Sequence, residues 1–181
     1  MFLKQRLYSF HFFLFFSILA FMSVFTTSGL CADGWGQTDD AYEFEDVSWR
    51  GVYFDMNGLS FGAFVPNYSG TLMQNSNVCF KGEAGNSLYL IMTSLNPCFS
   101  PPDSEQEFLQ MIQEANPLFY VLPADARELG AVYAVDLIPV DDNTHSYWRF
   151  LCTKDRLIKM VNADENEIRR IHFFEGMKIQ P

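Results

Sequence analysis

The stretch that decides the fold is Gly51-Val-Tyr-Phe-Asp-Met56, then Asn57-Gly58, then Leu59-Ser-Phe-Gly-Ala-Phe-Val65. Apolar residues alternate with polar or small residues on both sides of the Asn-Gly pair, which is the spacing of a half-buried strand. Asn-Gly tolerates the positive φ angles of a type I′ turn, so the stretch predicts a two-residue hairpin. The residues expected to share the buried face are Val52, Phe54, Met56, Leu59, Phe61, Ala63 and Val65.

Further strand-like segments follow this hairpin along the chain. They lie at residues 77–82, 88–95, 131–140, 146–153 and 157–161. Turn residues at 84–86 and 154–156 join two pairs of these segments, which predicts two more hairpins. A short strand at 177–179 ends the chain.

Two amphipathic helices are predicted beside these strands. Ser104 and Glu107 have the spacing of a capping box, and Asn116-Pro117 ends the first helix. The apolar stripe of this helix is Phe108, Leu109, Ile112 and Ala115. The second helix covers residues 164–174, with acidic residues in its first turn. By helical spacing its core-facing residues are Ile168, Ile171 and Phe174.

Runs of strands interrupted by two helices are typical of the α+β class. We therefore expect one α+β domain over residues 48–181, in which an antiparallel sheet opened by the Asn57-Gly58 hairpin is flanked by two main helices. Residues 33–47 are acidic and show no clean period, so we expect a flexible lead-in there.

The first thirty-two residues have the composition of a secretory signal peptide. Lys4 and Arg6 precede an apolar run over residues 12–25, and small residues lead to Ala32. A charged start, a short apolar middle and a small-residue end form the pattern that signal peptidase removes. We expect residues 1–32 to direct export to a periplasm or to the extracellular space.

Two other interpretations of this leader would leave the chain at a membrane. An uncleaved anchor is disfavoured because the run over residues 12–25 is shorter than the roughly twenty residues that a spanning helix needs. Bacterial lipidation at Cys31 is the second, but Ser28 and Leu30 depart from the lipoprotein pattern. Membrane contact is expected only through an uncleaved leader or a lipidated Cys31.

The chain is acidic, with 12 Lys and Arg residues against 22 Asp and Glu residues and a net charge of −10. Loss of residues 1–32 removes two basic residues and no acidic one, which leaves −12. Such a charge repels phosphate backbones and anionic lipid surfaces, so no nucleic-acid partner is expected. The sequence has no zinc spacing, calcium loop or Gly-rich phosphate cradle, so we expect no metal and no cofactor.

Cys79, Cys98 and Cys152 remain after the leader. In an oxidising compartment the candidate disulfide joins Cys79 to Cys98. The predicted hairpin places Cys79 opposite Ile91, so the chain after the hairpin would have to fold back for Cys98 to reach Cys79. Three reduced cysteines that act as small hydrophobic residues are the open alternative.

Catalysis is not expected from these residues. A cysteine hydrolase needs a thiolate beside an oriented imidazole. His145 lies in a polar turn and His172 lies in the predicted terminal helix, and neither belongs to a nucleophile motif.

Three groups of segments follow the order of a known fold. They are Gly58-Leu59-Ser60-Phe61 with Val65-Pro66, Tyr147-Trp148-Arg149-Phe150 with Leu157-Ile158-Lys159-Met160, and Ile168 to Phe174 with Glu175-Gly176-Met177-Lys178-Ile179. In this order the chain resembles the PsbP-like and DcrB-like family of exported α/β/α sandwich domains. The resemblance implies a binding or assembly module rather than an enzyme, and it implies no site residues.

The function expected from the sequence is therefore that of an exported, non-catalytic module that binds a protein partner or an envelope component. Phe99 is the candidate contact, because it lies in the Pro-rich loop of residues 96–102. The alternative is a small-molecule carrier or hydrolase with a pocket between sheet and helix.

Overall fold

The computed structural model of the chain describes residues 34–56, 58–74, 76–95, 99–141 and 144–180. The predicted leader, Cys31, Asn57 and Cys98 lie outside the described residues. In the described part of the chain, no helix is both long enough and apolar enough to cross a membrane.

The described residues form strands and three short helices, which is broadly an α+β architecture. The strands are β1 Trp35–Phe44, β2 Val47–Met56, β3 Leu59–Pro66, β4 Gly70–Gln74, β5 Asn77–Ala84, β6 Ser87–Ser94, β7 Phe119–Pro123, β8 Tyr133–Pro139, β9 Tyr147–Cys152, β10 Leu157–Asn162 and β11 Lys178–Gln180. The helices are α1 Glu105–Ala115, α2 Ala126–Leu129 and α3 Glu167–Glu175.

The strands are divided between two antiparallel sheets rather than joined in the single sheet that the sequence predicted. One sheet has four strands in the order β1-β2-β3-β11, and the other has seven in the order β4-β5-β6-β10-β9-β8-β7. The division arises because β3 pairs with the terminal strand β11, so it does not extend the hairpins that follow it.

The two sheets approach each other closely at Gly82 of β5. A Cβ atom at this position would overlap the carbonyl oxygen of Pro66 and the side chain of Val65, both in β3. Glycine at this position therefore lets the small sheet pack directly on the large one. The main core lies between the two sheets and includes Trp49, Phe54, Phe61, Phe80, Ile91, Leu151 and Met160.

The strands β2 and β3 confirm the predicted pairing of residues 51–56 with 59–65. Met56 pairs with Leu59, and the register continues to Trp49 and Pro66. Six of the seven residues predicted to share a face are buried, and Met56 is half-buried. Asn57 lies outside the described residues, so the type of the turn stays a prediction.

The prediction that residues 33–47 form a flexible lead-in was wrong. Residues Trp35–Phe44 form β1, which pairs with β2 along its length except for a register shift between Gln37 and Ala41. At this irregularity residues 38–40 of β1 lie opposite the single residue Gly51 of β2. Trp35 before it and Tyr42 and Phe44 after it pack against the main core. The hairpin β1–β2 therefore precedes the one that was expected to open the sheet.

Helix α1 confirms the prediction for residues 104–116. The side chain of Ser104 accepts a hydrogen bond from the backbone N–H of Glu107, and Asn116 caps the other end. Phe108 and Ile112 are buried against the large sheet.

Helix α3 presents a different face to the core from the one predicted. Ile168 and Ile171 are 56% and 45% exposed, whereas Phe173 is fully buried. Phe174 is buried as predicted. Two adjacent phenylalanines remove more apolar area from water than two isoleucines do, so they set the orientation of this nine-residue helix.

Candidate functional site

The two faces of the seven-stranded sheet are covered to different extents. The four-stranded sheet and α3 cover one face, which we call the closed face. On the opposite face, α1 packs mainly on β7 and β8. The part of that face formed by β4, β5, β6 and β10 lies beyond the helix, and we call this side of the sheet the open face.

A groove of about 400 Å³ lies on the open face. Its main lining residues are Leu72, Cys79, Met92, Phe99, Phe150 and Lys159, and we call it the Lys159 groove. Five of these residues form one row across the sheet, because Leu72 pairs with Cys79, Cys79 with Met92, Met92 with Lys159 and Lys159 with Phe150. Directly paired residues lie on the same face, so the groove runs across the strands.

Lys159 is the charged residue within this row. Its amine lies 3.5 Å from the ring centroid of Trp148 and 5.4 Å from that of Phe150. Among the residues that the structure describes, no carboxylate lies within 4.0 Å of this amine. Burial lowers the pKa of Lys159 to about 8, because removal from water disfavours the ammonium form.

Phe99 lies at the edge of the groove and is half-buried. It packs against the apolar residues beneath α1, and its backbone N–H donates a 3.0 Å hydrogen bond to the carbonyl of Asp155. The sequence predicted Phe99 as a contact residue in a Pro-rich loop. The structure makes it one wall of the groove, which brings the predicted contact residue beside Lys159.

Cys79 and Cys152 are buried, and neither is bonded to another cysteine of the described residues. Cys79 pairs with Met92 rather than with Ile91, because the connecting turn is one residue shorter than predicted. Cys98 lies outside the described residues, so the disulfide between Cys79 and Cys98 stays a prediction. Burial raises the pKa of Cys79 to about 12, against the opposing charge of Lys81, and burial raises that of Cys152 to about 11. Neither thiol is therefore activated at neutral pH.

His172 belongs to the closed face, on the other side of the sheet from both cysteines. Its ring stacks on Phe44 at 4.1 Å, meets Trp49 edge-on at 4.8 Å, and shares a hydrogen bond with the hydroxyl of Tyr42. Burial lowers the pKa of His172, with a smaller opposing effect from Glu175. The histidine thus ties α3 to the outermost strand β1.

A second groove, of about 180 Å³, lies between α3 and the strands β8 and β9. Its two arginines already have partners within the chain. Arg149 forms two hydrogen bonds to the carboxylate of Asp136, at 2.6 and 2.8 Å, and the guanidinium of Arg170 lies over the ring of Tyr147. Ile138 and Ile171 form an apolar rim around it.

Within the described ranges, no group of three or more His, Cys, Asp or Glu side chains is placed to hold a metal ion. The structure brings together Phe99 and Lys159, of which the sequence identified Phe99 alone. The missed signal was the period of β10, where Leu157, Lys159 and Val161 alternate onto one face beside Trp148 and Phe150. A lysine at an inward-facing strand position is uncommon, because burial of an ammonium without a partner is unfavourable.

Comparison with known proteins gives no relative from which a function could be carried over. The chain matches no protein family, no curated protein and no solved structure.

Proposed function

We propose that the chain is an exported, non-catalytic binding module that engages an envelope component through the Lys159 groove. The observation that carries the proposal is the groove itself, an apolar depression with an aromatic wall at Phe99 and with the ammonium of Lys159, which has no carboxylate partner among the described residues. Concave, mostly apolar sites with a few placed polar groups are the usual form of ligand sites.

The location and the finer fold are part of the same proposal. Export rests on the pattern of residues 1–32. The fold assignment rests on the resemblance to the PsbP-like and DcrB-like sandwich domains and on Asn57-Gly58 as the turn of the β2–β3 hairpin. In that family a binding or assembly role is the expected one.

Exchange of Phe99 tests the proposal. The chain without residues 1–32 is immobilised and used to capture components of the native envelope fraction. Phe99→Ser should lower the captured amount about tenfold, since loss of one buried aromatic contact is worth 1 to 2 kcal/mol or more at a binding site. Ile168→Ser is the matched control, because Ile168 is exposed on α3, which packs on the closed face. Equal capture by Phe99→Ser and the unaltered chain would contradict the proposal.

The alternative is a small-molecule carrier, and the presence of Lys159 in the groove favours it over a hydrolase. Native mass spectrometry of the purified chain separates the two proposals. A bound small molecule that is lost in Phe99→Ser would favour the carrier, whereas an empty chain that captures a macromolecular component would favour the module.

A further inference from the structure

We propose that the Lys159 groove binds a single-chain amphiphile with one carboxylate, its apolar chain lying across β4, β5 and β6 and its carboxylate on the ammonium of Lys159. The inference rests on the groove of the proposed function and develops its small-molecule alternative, because it names the class of ligand for that groove. The sequence alone predicted no residue that would bind such a ligand.

The first argument is the charge of Lys159. The faces of Trp148 and Phe150 stabilise its ammonium through their quadrupoles, but they carry no net charge. A half-buried cation without a carboxylate partner remains electrostatically uncompensated. An anion bound in the groove would supply the missing charge. Burial lowers the pKa of Lys159, and no carboxylate of the described residues lies close enough to offset this effect.

The other charged groups near the groove do not supply this partner. The carboxylate of Asp155 lies on the rim, 40% exposed, at 4.0 Å from the guanidinium of Arg156. Lys81 forms a 2.6 Å ion pair with Glu83 further along β5. The thiol of Cys79 is neutral, because burial raises its pKa to about 12. Arg156 also lines the groove, but its side chain is fully buried and its guanidinium donates a 3.0 Å hydrogen bond to the carbonyl of Ser94. The charge available to a ligand inside the groove is therefore that of Lys159.

The second argument is the shape of the lining. From Lys159 the row continues through Met92 and Cys79 to Leu72, and these three side chains offer only apolar or weakly polar surface. Three steps between neighbouring strands span roughly 14 Å, which suits an extended hydrocarbon chain. A linear molecule with its anion at one end matches this arrangement of charge and apolar surface.

The net charge of the chain favours a free molecule over a membrane surface as the occupant of the groove. At −10, the protein is repelled by an extended anionic bilayer, whereas a single carboxylate experiences mainly the nearby ammonium. We therefore commit to a dissolved single-chain carboxylate as the occupant.

Calorimetric titration with decanoate and decanol at pH 7 and pH 9 tests the inference. Decanoate should bind about tenfold more tightly than decanol at pH 7, because a hydrogen bond to a charged group contributes about that factor. Its affinity should fall about fivefold at pH 9, where Lys159 has lost most of its charge, while that of decanol should not change. Dodecanoate should bind more tightly than decanoate, by up to fourfold for each added buried methylene.

Two variants locate the effect. Lys159→Met keeps an unbranched apolar stem, so it should lower the affinity for decanoate about tenfold, remove its pH dependence and leave decanol binding unchanged. Lys154→Met is the matched control, because Lys154 is exposed in the β9–β10 turn. This variant should bind decanoate as tightly as the unaltered chain does. The pH dependence of decanoate binding to the unaltered chain provides the same test without any substitution.

Equal affinity for decanoate and decanol at both pH values would overturn the inference while leaving an apolar groove that binds, so the proposed function would stand. Binding of anionic phosphatidylglycerol vesicles without binding of decanoate would also overturn it and would identify a membrane surface as the occupant. Absence of decanoate binding, together with capture from the envelope that does not depend on Phe99, would overturn both proposals.

Discussion

The closed and open faces of the seven-stranded sheet differ in how they treat buried charge. On the closed face the carboxylate of Asp164 is buried, but Arg169 binds it through two hydrogen bonds of 2.7 and 3.0 Å and the hydroxyl of Tyr89 donates to it. On the open face the amine of Lys159 lies over the rings of Trp148 and Phe150, and no carboxylate of the described residues lies within 4.0 Å of it. The comparison shows that the buried carboxylate of the closed face is paired within the chain, and we propose that a ligand pairs with the ammonium of the open face.

The largest expected difference between the faces is in packing. Phe80 is fully buried on the closed face, where its ring lies 6.1 Å from that of Phe61 in the other sheet. Phe80→Ala should lower the free energy of unfolding by about 3–5 kcal/mol, because it leaves a cavity between the sheets. Phe99→Ala removes the same side chain from the open face and should cost about 1 kcal/mol or less. Similar decreases in the free energy of unfolding of the two variants, measured with urea, would contradict this difference in packing between the faces.

The second expected effect concerns the buried ion pair. Burial alone would raise the pKa of Asp164, but hydrogen bonds from Arg169, Tyr89 and the backbone of Asn166 outweigh burial and lower it. Asp164→Asn should lower the free energy of unfolding by about 2–4 kcal/mol at pH 7, because Arg169 loses its partner.

The pH dependence of this pair gives a second measurement. The carboxylate of Asp164 stabilises the fold above its ordinary pKa of 3.8, and this contribution is lost as the pH falls through the lower folded value. Urea unfolding between pH 5 and pH 2 should therefore show a smaller decrease for Asp164→Asn than for the unaltered chain. Asp155→Asn, at a carboxylate that is 40% exposed, serves as the control and should keep the original decrease.

The smallest expected effect is at His172, on the closed face. Because burial lowers its pKa below 6.5, the unfolded chain binds a proton more readily than the folded chain does. Stability should therefore decrease as the pH falls from about 6.5, and His172→Phe should reduce this decrease in melting temperature. His145→Gln, at a side chain that is 46% exposed, is the control; if it reduced the decrease as much, His172 would not be the group responsible.

Much of the local structure could be predicted from the sequence because it depends on neighbouring residues. The pairing of residues 51–56 with 59–65, the cap at Ser104 and the hairpin around residues 154–156 each follow from alternation or turn chemistry within a few positions. Strand β1 was missed for an equally local reason. Its turn uses Glu45 and Asp46 at φ 50° and 58°, where glycine and asparagine are the expected residues.

The candidate site could be predicted only in part. Phe99 was found because prolines mark its loop. The position of Lys159 in the groove depends on which strands neighbour β10 and on where α1 ends, and these long-range arrangements are not encoded in the period of a single strand. The same limitation explains the orientation of α3, where competition between two phenylalanines and two isoleucines is decided by the sheets beneath them.

The pKa of Lys159 tests the contrast between the two faces most directly. NMR with 13C at the lysine side chains follows each amine through its titration, and the signal that disappears in Lys159→Met identifies the residue. An uncompensated ammonium on the open face should titrate near pH 8 in the free chain. Titration at the ordinary lysine value of 10.5 would show that the amine is solvated or already paired, and it would contradict the account.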